Sequence, residues 1–350
     1  MSAALTIALD GMGGDHAPAS VVRGMTAMAE RYPDVHFLVF GDEAQIAPLL
    51  TAAPILSGRA TVRHTTEIVA ADAKPSQALR QGRNSSMRMA IDAVAAGEAG
   101  GLVSAGNTGA LMAMSKVVLR TLPGINRPAI GSFFPSRTGE CVMLDLGANI
   151  ECDADNLVQF AVMGANFAAT VLGRVRPTVG LLNVGTEDVK GDDTLRAAAE
   201  ILRSTPSLAF DFHGFVEGSD ITAGTVDVVV TDGFTGNVAL KTAEGTAKLI
   251  SGFLRVAFAS SIFSKIGYLL ARGALGALRD RIDPRYYNGG VFLGLNGIVV
   301  KAHGGSDAVA FGAALELAVD MVRDRLTERI AVEYGKFLAV SGQQGQEAQA

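Results

Sequence analysis

The chain has 350 residues, 49% of them hydrophobic, and a net charge of −5 from 30 Lys and Arg against 35 Asp and Glu. That length suits one large α/β domain or two modest ones. The acidic balance, with no basic run or aromatic-basic interleaving, excludes a nucleic-acid footprint, and no window reaches about eighteen uninterrupted apolar residues, so no helix is expected to span a bilayer.

In chain order, short β-branched or apolar runs alternate with Ala-rich helical stretches. The N-terminus enters a strand pattern at once, Leu5–Asp10, with no basic region and cleavage site that would mark a signal peptide. Further strands are expected at Val35–Phe40, Leu102–Ala105, Ala129–Phe134, Cys141–Leu146, Val179–Val184, Val226–Thr231 and Ile298–Ala302. Helices are expected near Pro18–Arg31, Ser85–Ala96, Thr108–Arg120, Asp153–Leu172, Asp192–Arg203 and Gly236–Arg255. Strands apolar on both faces and separated by helices imply a mostly parallel sheet covered on both sides, a three-layer α/β/α sandwich. No Pro/Ser-rich linker divides it, so residues 1–338 read as a single domain and the polar residues 339–350 as a disordered tail. Cys141 and Cys152 lack CxxC spacing and read as reduced thiols of a cytosolic protein.

The strand ends carry the chemistry. Five polar, Gly-rich loops follow strands: Asp10–His16, Ser104–Gly109, Asn183–Glu187 with Lys190 beyond, Thr231–Asn237 with Lys241 one turn on, and Lys301–Asp307. Any one of them has a plain reading, in which Gly supplies a turn and Asp, Asn, Ser or Thr caps the next helix. Five on one sheet edge would form a crevice of amide, hydroxyl and ammonium donors, an anion site. There is no GxxxxGK[ST], spaced GxGxxG, HExxH or GxSxG, and no metal-spaced Cys/His cluster. The anion is therefore expected to be a small phosphate or a phosphorylated group, not a nucleotide held in a familiar way, with no metal and no cofactor.

The segment 251–285 differs from the rest. It carries Arg255, Lys265, Arg272, Arg279, Arg281 and Arg285 against Asp280 and Asp283, and Lys265, Arg272 and Arg279 recur every seven residues on one helical face. Phe258, Ile262, Ile266, Leu269 and Leu270 fall beside that stripe. A helix lying in an anionic membrane surface fits this pattern, and a dimer-interface or core helix pair fits it equally.

The motifs ALDGMGGDHAP, SAGNTGALMA, RPAI, LDLGAN, LLNVGTEDVKG, VVVTDGFTGNVALKTAEG and GGVFLGLNGIVVKAHGGSD, in order from Leu9 to Asp307, resemble the bacterial phosphate acyltransferase (PlsX) family. The resemblance implies a fold like that of isocitrate/isopropylmalate dehydrogenases and phosphate acetyltransferases, and a homodimer. It implies transfer of a fatty acyl group from acyl carrier protein to inorganic phosphate in the cytoplasm. The acyl phosphate would pass to a membrane glycerol-3-phosphate acyltransferase for phospholipid synthesis, with the enzyme peripheral to the inner face of the cell membrane. Rival readings are an acyl-CoA-dependent phosphate acetyltransferase-like enzyme, a non-catalytic anion-binding protein at a membrane surface and, on fold alone, a dehydrogenase.

Attack of phosphate on a thioester asks mainly for positioning and oxyanion stabilisation. Lys190, Asp232 and Asn237 are the expected catalytic residues, with Asp232 orienting Lys190 or Lys241. The expected substrate-binding set is Asp10, Gly13, Gly14, Asp15, His16, Asn107, Thr108, Thr186, Thr235, Lys241, Lys301, His303 and Ser306.

Overall fold

Burial of the strand cores assembles an 11-stranded sheet in the order β3-β2-β1-β4-β11-β10-β5-β6-β9-β7-β8 in a computed structural model that describes residues 5–205, 208–281 and 289–347. The strands are β1 Leu5–Asp10, β2 Val35–Gly41, β3 Ala60–His64, β4 Gly101–Ser104, β5 Ala129–Ser136, β6 Gly139–Leu144, β7 Thr178–Leu182, β8 Asp211–Val216, β9 Val228–Val230, β10 Gly290–Leu293 and β11 Ile298–Lys301. Seven of the ten pairings are parallel, as the apolar runs required. Leu9, Val103 and Val300 are fully buried on one face of the sheet and Ala8, Leu102 and Val299 on the other, so both faces are covered.

The flanking helices are α1 Ala19–Arg31, α2 Glu43–Thr51, α3 Pro75–Gln81, α4 Ser86–Ala95, α5 Thr108–Val118, α6 Ala154–Val171, α7 Asp193–Ser204 and α8 Gly218–Ala223. They continue with α9 Gly233–Ala259, α10 Ile262–Arg281, α11 Ala308–Arg323 and α12 Leu326–Glu347. Helix α6 shows how sequence sets such an element. Asp153 accepts from Asn156 N at 2.8 Å and the Asn156 side chain accepts from Asp153 N at 3.3 Å, a reciprocal cap. Behind that cap the helix is apolar almost all round, and Phe160 and Phe167 are fully buried. The last helix continues to Glu347, through most of the stretch that composition reads as a tail.

The topology corrects one expectation. Between β11 and β6 the chain direction reverses three times, at the antiparallel pairs β11–β10, β10–β5 and β5–β6. The loops after β1, β4 and β11 therefore leave one edge of the sheet, and those after β7 and β9 leave the other. Sequence cannot show this, because the reversal lies in a β5–β6 hairpin and the four-residue strand β10.

Helices α9 and α10 form an outlying pair. Phe253, Phe263 and Leu270 are 66%, 81% and 83% exposed there, and Ile262, Ile266 and Leu269 are exposed beside Lys265 and Arg272. Phe258 departs from the expected stripe: it is half-buried and meets Tyr268 edge-on with ring centroids 5.4 Å apart, inside the pair. The side chains of Arg279, Asp280 and Arg281, and all of Asp283 and Arg285, lie outside the described residues. Among the described residues no helix is long and apolar enough to cross a membrane.

Candidate active site

The first group of loops gathers around Asp10 at the end of β1. Its carboxylate is buried and accepts from Ser86 Oγ and Ser104 Oγ, each at 2.6 Å. Burial raises its pKa, and the two hydroxyls with the Met12 and Gly13 N–H groups pull it back down. Asp10 thus faces inward and ties β1 to α4 and β4, where sequence reasoning expected a substrate contact. Gly13 and Gly14 let the next turn pass: a Cβ on Gly13 would lie 2.4 Å from Asp10 Oδ2, and one on Gly14, at φ +98°, 2.9 Å from Gly304 O. Asp15 N donates to Gly304 O at 2.8 Å, which joins the first loop to the loop after β11. Asp15 and His16 are exposed at this edge.

Asn107 is occupied. Its Oδ1 caps α5 by accepting from Ala110 N at 2.9 Å, and its Nδ2 donates to Ala71 O at 2.8 Å and Ala73 O at 3.0 Å. It therefore holds a neighbouring turn in place of the expected phosphate, and Thr108 and Gly109 at the helix start remain exposed. Lys301 is buried, with Nζ donating to the Ala302 and Ala105 carbonyls. Burial pushes its pKa down to about 8 against the pull of Asp10 and Asp15. In the adjoining turn, Gly305 N donates to His303 Nδ1 at 3.1 Å. Nδ1 therefore carries no proton, and Nε2–H is the donor of a neutral ring. Burial, then Lys301 and Lys241, lowers the His303 pKa in the same direction. Ser306 is buried and its Oγ has no hydrogen-bond partner among the described residues. A cation, a neutral N–H and an unsatisfied hydroxyl suit an oxyanion.

The second group surrounds the start of α9. Asp232 Oδ1 caps the helix by accepting from Thr235 N at 2.9 Å, and Oδ2 accepts from Thr235 Oγ1 at 2.7 Å. It orients no lysine: Lys241 pairs with Glu244 at 2.9 Å, and no described carboxylate lies within ion-pair distance of Lys190. Gly236 lies against the loop after β6, where an added Cβ would stand 1.9 Å from Asp145 O. That contact brings Asn237 beside Gly147. Asn237, Lys190 and Thr186 are exposed, and the Asn237 amide has no hydrogen-bond partner among the described residues.

Sequence reasoning missed two residues here. Asp145, inside the LDLGAN motif, is fully buried. Its oxygens accept from Ile130 N, Gly147 N, Ala148 N and Asn149 N at 2.7–3.2 Å, and from Asn149 Nδ2 at 2.9 Å. Burial raises its pKa, while those donors oppose the shift. A carboxylate closing an apolar strand before Gly-Ala-Asn was the available signal. Asn183 is the other: it is buried, its Oδ1 accepts from Val184 N at 2.8 Å, and its Nδ2 has no hydrogen-bond partner among the described residues. It lines a cleft of about 840 Å³ beside Thr231, Asp232 and Thr235.

His303, from the first group, lies within electrostatic reach of Lys241, Glu244 and Lys248 on α9, from the second.

Solved structures share this architecture. A phosphotransacetylase from Streptococcus pyogenes superposes with a TM-score of 0.62 at 20% identity, covering 93% of this chain and 95% of that one. The EutD phosphotransacetylase from Staphylococcus aureus gives 0.57 at 17% identity, covering 91% and 94%. The chain is thus an α/β protein of the phosphotransacetylase-like fold, with oxyanion-suited loops at its strand ends. Its sequence is 63% identical over 339 residues to the phosphate acyltransferase of Rhodospirillum centenum, covering 97% of this chain and 95% of that protein. That of Paramagnetospirillum magneticum is 58% identical over 337 residues, covering 96% of each. The family described as "Fatty acid synthesis protein" matches residues 5–329, and the chain belongs to it as a phosphate acyltransferase of the PlsX type, an enzyme of acyl transfer to phosphate.

Proposed function

We propose that the acyl donor is a fatty acyl-acyl-carrier protein and that the product, acyl phosphate, feeds a membrane glycerol-3-phosphate acyltransferase in phospholipid synthesis. The donor group at Lys301, His303 and Ser306, facing Lys241 of α9, is the observation that carries the chemical part of this reading. A phosphate oxygen attacks the thioester carbonyl, the C–S bond breaks, and the carrier thiolate leaves and takes a proton. Near neutral pH phosphate is already anionic and a thiolate, with a thiol pKa of about 8.5, leaves readily, so no strong base is required. Lys301 and His303 Nε2–H hold the phosphate oxygens. Asn237, whose amide has no partner among the described residues, and Lys190 stand ready to stabilise the carbonyl oxygen as it gains charge.

The exposed apolar face of α9 and α10, flanked by Lys265 and Arg272, supports peripheral contact with an anionic membrane, where the product would be used. Two copies of the chain working as a homodimer would present two such faces. The donor assignment is tested by following phosphate-dependent release of carrier-protein thiol and of CoA thiol from matched long-chain substrates. A kcat/KM favouring the carrier protein by about a hundredfold or more supports it, and preference for the CoA thioester removes it.

A further inference from the structure

The 840 Å³ cleft differs in character from the Lys301–His303 group. Leu157, Leu182, Val184 and Leu195 supply apolar walls, and no lysine, arginine or histidine lines it. Its charged lining residues are all acidic: Glu151, Asp192 and Asp232. Two helix starts open on it, and these would ordinarily attract an anion. Each is already capped by its own carboxylate, since Asp192 accepts from Leu195 N at 2.8 Å and Asp232 from Thr235 N at 2.9 Å. The cleft thus repels phosphate and favours a neutral, partly apolar occupant of the size usual for ligand pockets, about 300–1,000 Å³.

We propose that this cleft is the subsite for the acyl-pantetheine arm of the donor, an uncharged chain of amides ending in a thioester and its alkyl tail. The assignment rests on the thioester reading above and divides the site in two. The arm lies between the turns after β6, β7 and β9, and the anion is held apart at the Lys301 loop. The buried Nδ2 of Asn183 fits this division, because an unpartnered N–H in the wall calls for an acceptor, and the arm's amide and thioester carbonyls are acceptors. Asn237 stands two residues beyond the cleft-lining Thr235 at the start of α9, beside Gly147, and in this arrangement the reacting carbonyl lies between the two subsites.

The test fills the cleft. Leu195→Trp and Val184→Trp each add an indole at a lining position, the second at a residue 79% exposed, where folding is not at risk. The probe is a long-chain pantetheine thioether with one methylene between sulfur and acyl carbonyl, which cannot transfer its acyl group, titrated calorimetrically without phosphate. Both variants should weaken its binding by about tenfold or more, equivalent to about 1.4 kcal/mol, while the phosphate KM in turnover stays within about twofold. Lys301→Met should do the reverse. Undiminished probe binding in folded Val184→Trp, or a raised phosphate KM with unchanged probe binding, overturns the assignment. Failure of the wild type to use the carrier-protein donor would instead remove the donor reading, because probe binding is scored without turnover.

Discussion

Replacing Gly236 with alanine separates a positional requirement from a general helix effect. An added Cβ would stand 1.9 Å from Asp145 O, 3.0 Å from its carbonyl carbon and 3.1 Å from Thr231 Cγ2. Carbon and oxygen rarely approach within about 3 Å, so the start of α9 must recede from the β6 loop by about 1 Å. Overpacking of this kind costs about 1–3 kcal/mol, and the alanine returns about 0.5–1 kcal/mol through helix propensity. The net loss of about 0–2.5 kcal/mol leaves the protein folded. The same recession carries Asn237 away from Gly147, and a misplacement of about 1 Å at a reacting centre costs about a hundredfold in rate. Gly245→Ala is the control: it lies on the same helix with nothing within 4 Å of the new Cβ, and should leave activity unchanged while adding about 0.5–1 kcal/mol. Thermal unfolding and initial rates of acyl-phosphate formation measure both. Equal activity in the two variants would refute the placement of Asn237 by this contact.

Lys301 provides a pH test. Its folded pKa of about 8 lies below the ordinary 10.5, so between those values the unfolded chain holds more protons and this group makes stability rise with pH. Function should move the other way, with the phosphate KM climbing above about pH 8 as the cation is lost; in Lys301→Met the climb should vanish. His303→Ala should lower kcat about 10²–10³-fold, and His303→Gln should recover most of it, because a neutral N–H donor and not a base is needed. A glutamine variant as inactive as alanine would contradict the neutral-donor role. Phe263→Asp and Leu270→Asp, both on the exposed face of α10, should abolish co-sedimentation with phosphatidylglycerol vesicles without changing the rate on soluble substrates, and unchanged sedimentation would remove the membrane reading.

Periodicity was enough for the parallel wings. Leu5–Asp10 and Val35–Gly41 are apolar runs followed by turn residues, and both are strands within a residue of the expected ends. It failed where elements are short or half-exposed. The edge strand β3 carries Arg63 and His64 with little apolar alternation, β8 reads DFHGFV, and β10 has four residues and begins on the second glycine of a Gly-Gly pair. Missing β10 hid the reversal between the two loop groups. The motif residues were legible as a set but not by role. Asp10, Asn107 and Asp232 are polar residues at strand or helix ends, where a buried tie or a cap answers to the same letters as a ligand contact. Asn183 and Asp145 stood within quoted motifs, but only burial and counted hydrogen bonds separate them from their neighbours.

In the proposed reaction these loops unite phosphate and a carrier-bound fatty acyl group into a mixed anhydride. The direct measurement incubates the purified protein with long-chain acyl-acyl-carrier protein and phosphate, then traps the product with hydroxylamine. Acyl hydroxamate should form in proportion to phosphate and fall at least about tenfold in Asn237→Ala. Hydroxamate that is independent of phosphate, or free fatty acid alone, would contradict the account.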